Sequence, residues 1–276
     1  MIELPEAITI AEQLDRSLRG KVVAQVLRGN TPHKFAFYNH EPDEYETMLL
    51  GTTAAGSGAI ANIIQTQFDP DRTLHLGGGG ERIFLHSSAA SLPKKHQFLL
   101  GFSDGTYLTV TVQMWGCIQL TERGQPPGIY YLEKDLPSPL ADSFTPQYFD
   151  SLFAVLEPED KRSIKFFLIS KPGIQGLGNG YTQDVCYRAR LHPRHLARTL
   201  NDAQKQSLYE ALRFTLSEAV MLGGRDTELD LYGRPGRYTA ILSAKTAGSP
   251  CPNCGTTIRK ESFLGGAIYF CPVCQE

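Results

Sequence analysis

The residues with the most specific chemistry are four cysteines near the C-terminus. Cys251-Pro-Asn-Cys254 is followed, after sixteen residues, by Cys271-Pro-Val-Cys274. Each Cys-x-x-Cys pair makes a knuckle that aims two thiolates at one ion, and four thiolates close a tetrahedral zinc shell with no open position. One structural Zn2+ per chain is therefore expected, and so short a tail has too little core to fold without it. Disulfide pairing is the alternative, disfavoured in a reducing compartment. Cys117 and Cys186 lie in apolar or mixed surroundings and read as packing residues. At the other end of the chain, Glu3 and Glu6 flank Pro5. Carboxylates in a first helical turn ordinarily answer the helix dipole. The glycine-rich stretch Gly173–Gly180 has no strand feeding a dinucleotide fingerprint and no following Gly-Lys-Ser/Thr. It suits either a backbone that approaches a phosphate or base closely, or a plain turn between two helices.

The elements that must position these groups can be read from periodicity. Pro5 suits a first helical turn, and Ala7, Ile10, Leu14 and Leu18 recur at helical spacing until Gly20. Short β-rich runs follow at Val22–Leu27, Phe35–Tyr38, Ile60–Phe68, Ile83–His86, Phe98–Phe102 and Tyr107–Gln113, with Asp104-Gly105 as a hairpin signal. Strands this dense, without βαβ alternation, predict a sandwich or barrel. Four prolines mark residues 123–143 as a linker. Helices resume after Thr145, and a long one follows Asn201 or Asp202, with Leu208, Leu212, Leu216 and Val220 on one face up to Gly223-Gly224. The fold class expected is α+β, with boundaries at 1–132, a linker at 133–144, a helical region at 145–246 and a finger at 247–276.

Net charge is only −2, which alone argues against a polyanion as partner. The average hides an asymmetry. Residues 1–160 carry 11 Lys and Arg against 20 Asp and Glu, whereas residues 161–276 carry 16 against 9. The basic half is expected to face an anion, unless the two halves simply attract each other. No apolar run approaches the roughly 18 residues of a spanning helix, and no basic segment precedes an apolar one at the start. A cytoplasmic protein is expected, nucleoid-associated if bacterial.

Met1-Ile2-Glu3-Leu4-Pro5-Glu6 resembles the Met-Pro-Glu-Leu-Pro-Glu start of the formamidopyrimidine-DNA glycosylase and endonuclease VIII (Fpg/Nei) superfamily. His75-Leu76-Gly77 and Leu177-Gly178-Asn179-Gly180-Tyr181 are similar to further blocks of that family, and the element order matches along essentially the whole chain. The resemblance implies an N-terminal helix and β-sandwich, a helix-two-turns-helix region, a terminal zinc finger, and a monomer that grips damaged double-stranded DNA in a cleft. It implies catalytic roles for Glu3, Glu6 and the Met1 amine. Contacts to DNA would come from Asn179, Lys165, His75, Trp115, Arg188, Arg190 and Arg259.

The sequence departs from the family where chemistry is most sensitive. The family's nucleophile is the amine of a proline at position 2, exposed by removal of methionine; here Ile2 stands there, and retention of Met1 would displace the amine by one residue. The family's hairpin lysine should lie near Ile60 or Ala61, yet no lysine occurs between Lys34 and Lys94. Gly78 replaces a methionine. Gln113-Met114-Trp115-Gly116 stands where the family has Arg-Arg-Phe-Gly to fill the gap left by a flipped base, so Trp115 is either a wedge or a core residue. The finger arginine is missing from Leu264–Ala267. Three functions stay open: a glycosylase with little lyase activity, a non-catalytic binder of lesions, abasic sites or distorted DNA, and an RNA or protein adaptor that kept only the scaffold.

Overall fold

The computed structural model describes residues 1–128 and 136–276, and within them the chain divides into two compact units. The first comprises Met1–Asp135 with Leu222–Arg237, the second Leu136–Met221 with Tyr238–Glu276. The segment 222–237 thus returns to the first unit, whereas the sequence boundaries kept it with the helices.

In the first unit, α1 (Leu4–Leu18) starts on a capping box in which Glu3 and Glu6 reciprocally satisfy backbone N–H groups, and Gly20 at φ 80° follows its end. Next come β1 (Val23–Leu27), β2 (Ala36–Phe37), the short helix α2 (Pro42–Leu49), β3 (Thr53–Ile60), β4 (Ile63–Asp69), β5 (Arg72–Gly77), β6 (Glu81–His86), β7 (Phe98–Phe102), β8 (Tyr107–Val112) and β9 (Gly116–Glu122). One sheet has the order β2-β9-β5-β4-β3 and the other β1-β7-β8-β6. All pairings are antiparallel except β2 with β9. Alternation supplies one buried face from each sheet: Ile64, Phe68, Leu74, Leu76, Ile118 and Leu120 pack with Val26, Ile83, Phe98, Leu100, Leu108 and Val110. Ile2, Ala7 and Ile10 join this core at the start of α1, and Leu14 and Leu18 at its end, so the helix is anchored to the sandwich along its length.

The run expected as one strand, Ile60–Phe68, is two. β3 and β4 form a hairpin that turns at Ala61-Asn62, with Ala61 at φ 53°. β3 escaped detection because Thr-Ala-Ala-Gly-Ser-Gly carries no apolar alternation.

In the second unit, α3 (Pro146–Ser151) is capped by Thr145, whose Oγ1 accepts from Tyr148 N at 3.1 Å. α4 (Ile164–Ile169) and α5 (Asn179–Arg188) follow, then α6 (Asp202–Met221). Asn201 opens α6 through a reciprocal pair of bonds with Gln204. β10 (Arg259–Phe263) and β11 (Gly266–Phe270) form the hairpin of the cysteine-bearing tail. Part of the expected linker, residues 129–135, lies outside the described residues. Among the described residues no helix is long and apolar enough to cross a membrane.

Candidate active site

The N-terminus is built by α1 and held by the returning segment 222–237. Ile2 is buried in the sandwich core, and its N–H donates to Gly79 O at 2.8 Å. Glu3 and Glu6 are both almost fully buried. Arg225, itself buried, lies between them: its Nη1 is 3.1 Å from Glu3 Oε1, its Nε 3.1 Å from Glu6 Oε1, and its Nη2 donates to Met1 O at 2.7 Å. The Arg225 backbone N–H also donates to Glu6 Oε1 at 3.0 Å. Two carboxylates and a guanidinium in one dry place neutralise much of each other's desolvation cost. Gly224 adopts φ 87°, and a Cβ there would come within 3.0 Å of the Glu6 side chain, so the approach of this loop requires glycine.

The Met1 ammonium is 2.6 Å from Glu228 Oε1, and Arg82 lies 3.7 Å from the other Glu228 oxygen. Glu228 thus fixes the nitrogen of this extra N-terminal residue, and Arg225 its carbonyl.

Behind this layer stands Glu81, also buried, accepting from Gly79 N at 3.0 Å and Cys117 N at 2.8 Å. Burial pushes its carboxyl up to about 7. Asn62 O, at the β3–β4 tip where the family's lysine would stand, accepts from Gly78 N at 2.9 Å. The turn Gly77–Gly80 therefore joins three neighbours: the hairpin tip, Ile2, and the Trp115 loop, whose carbonyl accepts from Gly80 N at 2.9 Å. Trp115 itself is half-buried, and its neighbour Met114 is the more exposed side chain.

His75 is fully buried in β5, with Nε2 2.7 Å from Thr121 Oγ1 and Nδ1 3.3 Å from the Gln65 amide.

In the second unit, Asn179 opens α5 and its Nδ2 donates to Ala267 O at 3.2 Å. Lys165 is buried and donates to Phe263 O at 2.9 Å; burial lowers its pKa. Both converge on the β10–β11 turn, where a Cβ on Gly266 would lie 3.6 Å from Lys165 Nζ and 3.8 Å from Asn179 Nδ2. Gln183, absent from the sequence expectations, bridges Asn179 Oδ1 and the Tyr269 N–H. Lys165 is thereby a support of the hairpin rather than an exposed cation. Arg188 is likewise engaged, paired with Glu218 at 2.6 Å and lying over the Phe214 ring. Arg190 and Arg259 are exposed.

The four cysteine sulfurs lie within 4.8 Å of one another, with Cys251–Cys274 at 3.8 Å and Cys254–Cys271 at 3.5 Å. Thiolates about 2.3 Å from a tetrahedral zinc are separated by about 3.8 Å, so the cluster fits that ion. These distances are too long for disulfides. Asn253 Nδ2 and Cys274 N donate to cluster sulfurs at 3.3 and 3.4 Å, and Tyr187 Oη stands 3.3 Å from Cys251 Sγ, as expected around a thiolate site. Cys117 and Cys186 are buried, as expected for packing residues.

Comparison with known proteins converges on one family. Residues 136–230 match the family model described as the formamidopyrimidine-DNA glycosylase H2TH domain, and residues 248–276 the zinc finger found in FPG and IleRS. The chain is 31% identical to the formamidopyrimidine-DNA glycosylase of Halalkalibacterium halodurans over the full length of both, and 29% to that of Cytobacillus firmus. The crystal structure of the MutM (FPG) protein from Thermus thermophilus is similar at TM-score 0.83 and 25% identity, covering 99% of this chain and 98% of that one. Lactococcus lactis Fpg, in complex with DNA containing an abasic site, shares the fold at TM-score 0.85 and 24% identity, with 99% of each chain covered.

Proposed function

The chain belongs to the Fpg/Nei superfamily, and from that premise we propose that it is a DNA glycosylase of base excision repair that releases a damaged base from double-stranded DNA with little or no strand cleavage. The observation that carries this reading is the buried Glu3–Arg225 pair at 3.1 Å. A guanidinium at that distance favours the ionised carboxylate, which is the form a general base requires. Glu3 takes a proton from water as the oxygen attacks C1′ of the extruded nucleotide; the glycosidic bond breaks, the departing base leaves with its electron pair and takes a proton from solvent, and Glu3 returns its own proton to solvent. Glu6 holds Arg225 and the helix start, and so positions Glu3 without touching the sugar.

Strand cleavage through a Schiff base needs an uncharged amine at C1′. Ile2 N is an amide buried in the core, and the Met1 nitrogen is tied to Glu228 at 2.6 Å. Neither is a ready nucleophile, and no lysine occupies the β3–β4 tip.

The chain acts as a monomer, with Asn179, Arg190 and Arg259 of the basic half on the DNA backbone and one zinc ion holding the finger. Residues 1–132 with the returning segment 222–237 would carry the chemistry, and the rest of residues 145–246 together with 247–276 the grip on DNA. A second reading, a lesion binder without chemistry, draws on the same burial of Ile2 and capture of Glu3. Incubation with duplexes bearing oxidised, ring-opened or alkylated bases separates them: free base appears for a glycosylase and never for a binder.

A further inference from the structure

Glu81 is a buried carboxyl beside the N-terminal site that the glycosidic chemistry does not use. It opens β6 in one sheet, and its side chain crosses to the start of β9 in the other. Oε1 accepts from Cys117 N at 2.8 Å and Oε2 from Gly79 N at 3.0 Å, so one carboxyl ties both sheets to the turn Gly77–Gly80. The approach is close: a Cβ on Gly116 would lie 2.3 Å from Glu81 Oε1. Gly79 in turn holds the N-terminus, because its carbonyl accepts the Ile2 N–H at 2.8 Å. Ile2 is 3% exposed and packs in the sandwich core, so this bond satisfies a buried donor and fixes the backbone that enters Glu3. Hydrogen bonds thus run from Cys117 through Glu81 and Gly79 to Ile2, and the next residue is Glu3.

A carboxyl is an expensive brace for a turn, since a buried charge costs more than a buried amide or hydroxyl. Groups whose ionisation is shifted by burial beside a cleft gather where chemistry is done. Burial raises Glu81 to about 7, while its two N–H partners and the charge of the Met1 amine pull the other way. The neighbouring ionisable groups are the Cys117 thiol, on which burial holds the proton, Glu228 and Arg82 around the Met1 amine, and the Glu3–Arg225 pair beyond Ile2. Both Glu81 oxygens face N–H donors, which suits the carboxylate. Protonation sets a donor against a donor and loosens one tie.

Resting on the glycosylase reading, we propose that Glu81 is a positioning residue for Glu3: its carboxylate holds Gly79, and through it the Ile2–Glu3 backbone, where the general base reaches the attacking water. Loss of that charge frees one N–H and lets the backbone before Glu3 shift. A misplacement of about 1 Å is enough to cost a reaction on the order of 100-fold, so base release follows the ionisation of a side chain that stands behind the reacting groups.

The test uses the full-length protein. In the isotope-labelled wild type, the amide resonances of Gly79, Cys117 and Ile2 should move together with one midpoint near pH 7, a measurement that needs neither a variant nor turnover. Glu81→Gln keeps the size and one acceptor but turns an NH2 donor towards an N–H, and so imitates the protonated state at every pH. Its amides should not titrate there. On a duplex from which the wild type releases base, the variant's kcat at pH 8 should fall about 10- to 100-fold with KM within about twofold, and the wild-type rise in kcat around pH 7 should be missing. Affinity for a duplex bearing a tetrahydrofuran abasic analogue should stay within about twofold, which also checks folding. An Ile2 amide that stays fixed while those of Gly79 and Cys117 titrate overturns the proposal. So does an unchanged pH profile in Glu81→Gln, or an equal loss of kcat and of affinity, the mark of a general structural defect. Failure of the glycosylase reading is seen separately, as absence of base release from every duplex; the Ile2 titration then still decides whether Glu81 sets the backbone before Glu3.

Discussion

Replacing Arg225 by methionine removes the cation between two buried carboxylates while roughly keeping the side chain's volume. Arg225 is 8% exposed, Glu3 2% and Glu6 3%. Solvent therefore cannot take over the lost contacts at 3.1 Å to Glu3, 3.1 Å to Glu6 and 2.7 Å to Met1 O. Breaking a buried pair from one side costs about 3–5 kcal/mol, because the surviving charges stay desolvated. Glu6→Gln alone keeps an acceptor for the Arg225 N–H and should cost about 1.5–3 kcal/mol. The double variant Glu6→Gln/Arg225→Met should cost less than the two added together, by about 0.5–3 kcal/mol, since the groups share one network. Urea unfolding followed through Trp115 measures this, because that residue lies in the same unit. A loss below about 1 kcal/mol for Arg225→Met, or strict additivity, would refute the account of this network.

Freshly purified protein should contain one zinc per chain, and strong chelator should abolish DNA binding by unfolding the finger; a stoichiometry near zero contradicts this. Binding should weaken steeply with salt, and Arg259→Gln should lower the slope of log K against log salt by about one; an unchanged slope removes Arg259 from the phosphate contacts. Glu81, raised from 4.5 to about 7, binds a proton in the folded state that the unfolded chain releases earlier. Its stabilising share is present below pH 4.5 and lost as pH rises to about 7, a difference of about 3 kcal/mol. Urea midpoints of Glu81→Gln should lack this loss between pH 5 and 8, and an identical pH dependence would show that burial does not hold the group protonated.

The sequence disclosed whatever local spacing encodes. The Cys-x-x-Cys pairs declare a metal site because four ligands on two knuckles need no distant partner, and Thr145 and Asn201 declare helix starts because a cap bonds within three residues. Glu41-Pro42 and Glu44 carried the same signal for α2, which went unread. Arg225 and Glu228 were illegible as partners of Glu3 and Met1, since contacts spanning more than 220 positions leave no periodic trace. The partners of His75, Gln65 and Thr121 on neighbouring strands, were illegible for the same reason.

Hydrolysis of the glycosidic bond by Glu3 without an amine nucleophile is checked by following base release and strand scission together on a panel of damaged duplexes. Wild-type protein should release at least one damaged base while the strand stays intact until alkali is added, with no borohydride-trapped adduct; Glu3→Gln should abolish release and spare binding. A trapped adduct that maps to the N-terminal residue, with strand cleavage at the rate of base release, would contradict the account, and so would tight binding across the panel with no base released.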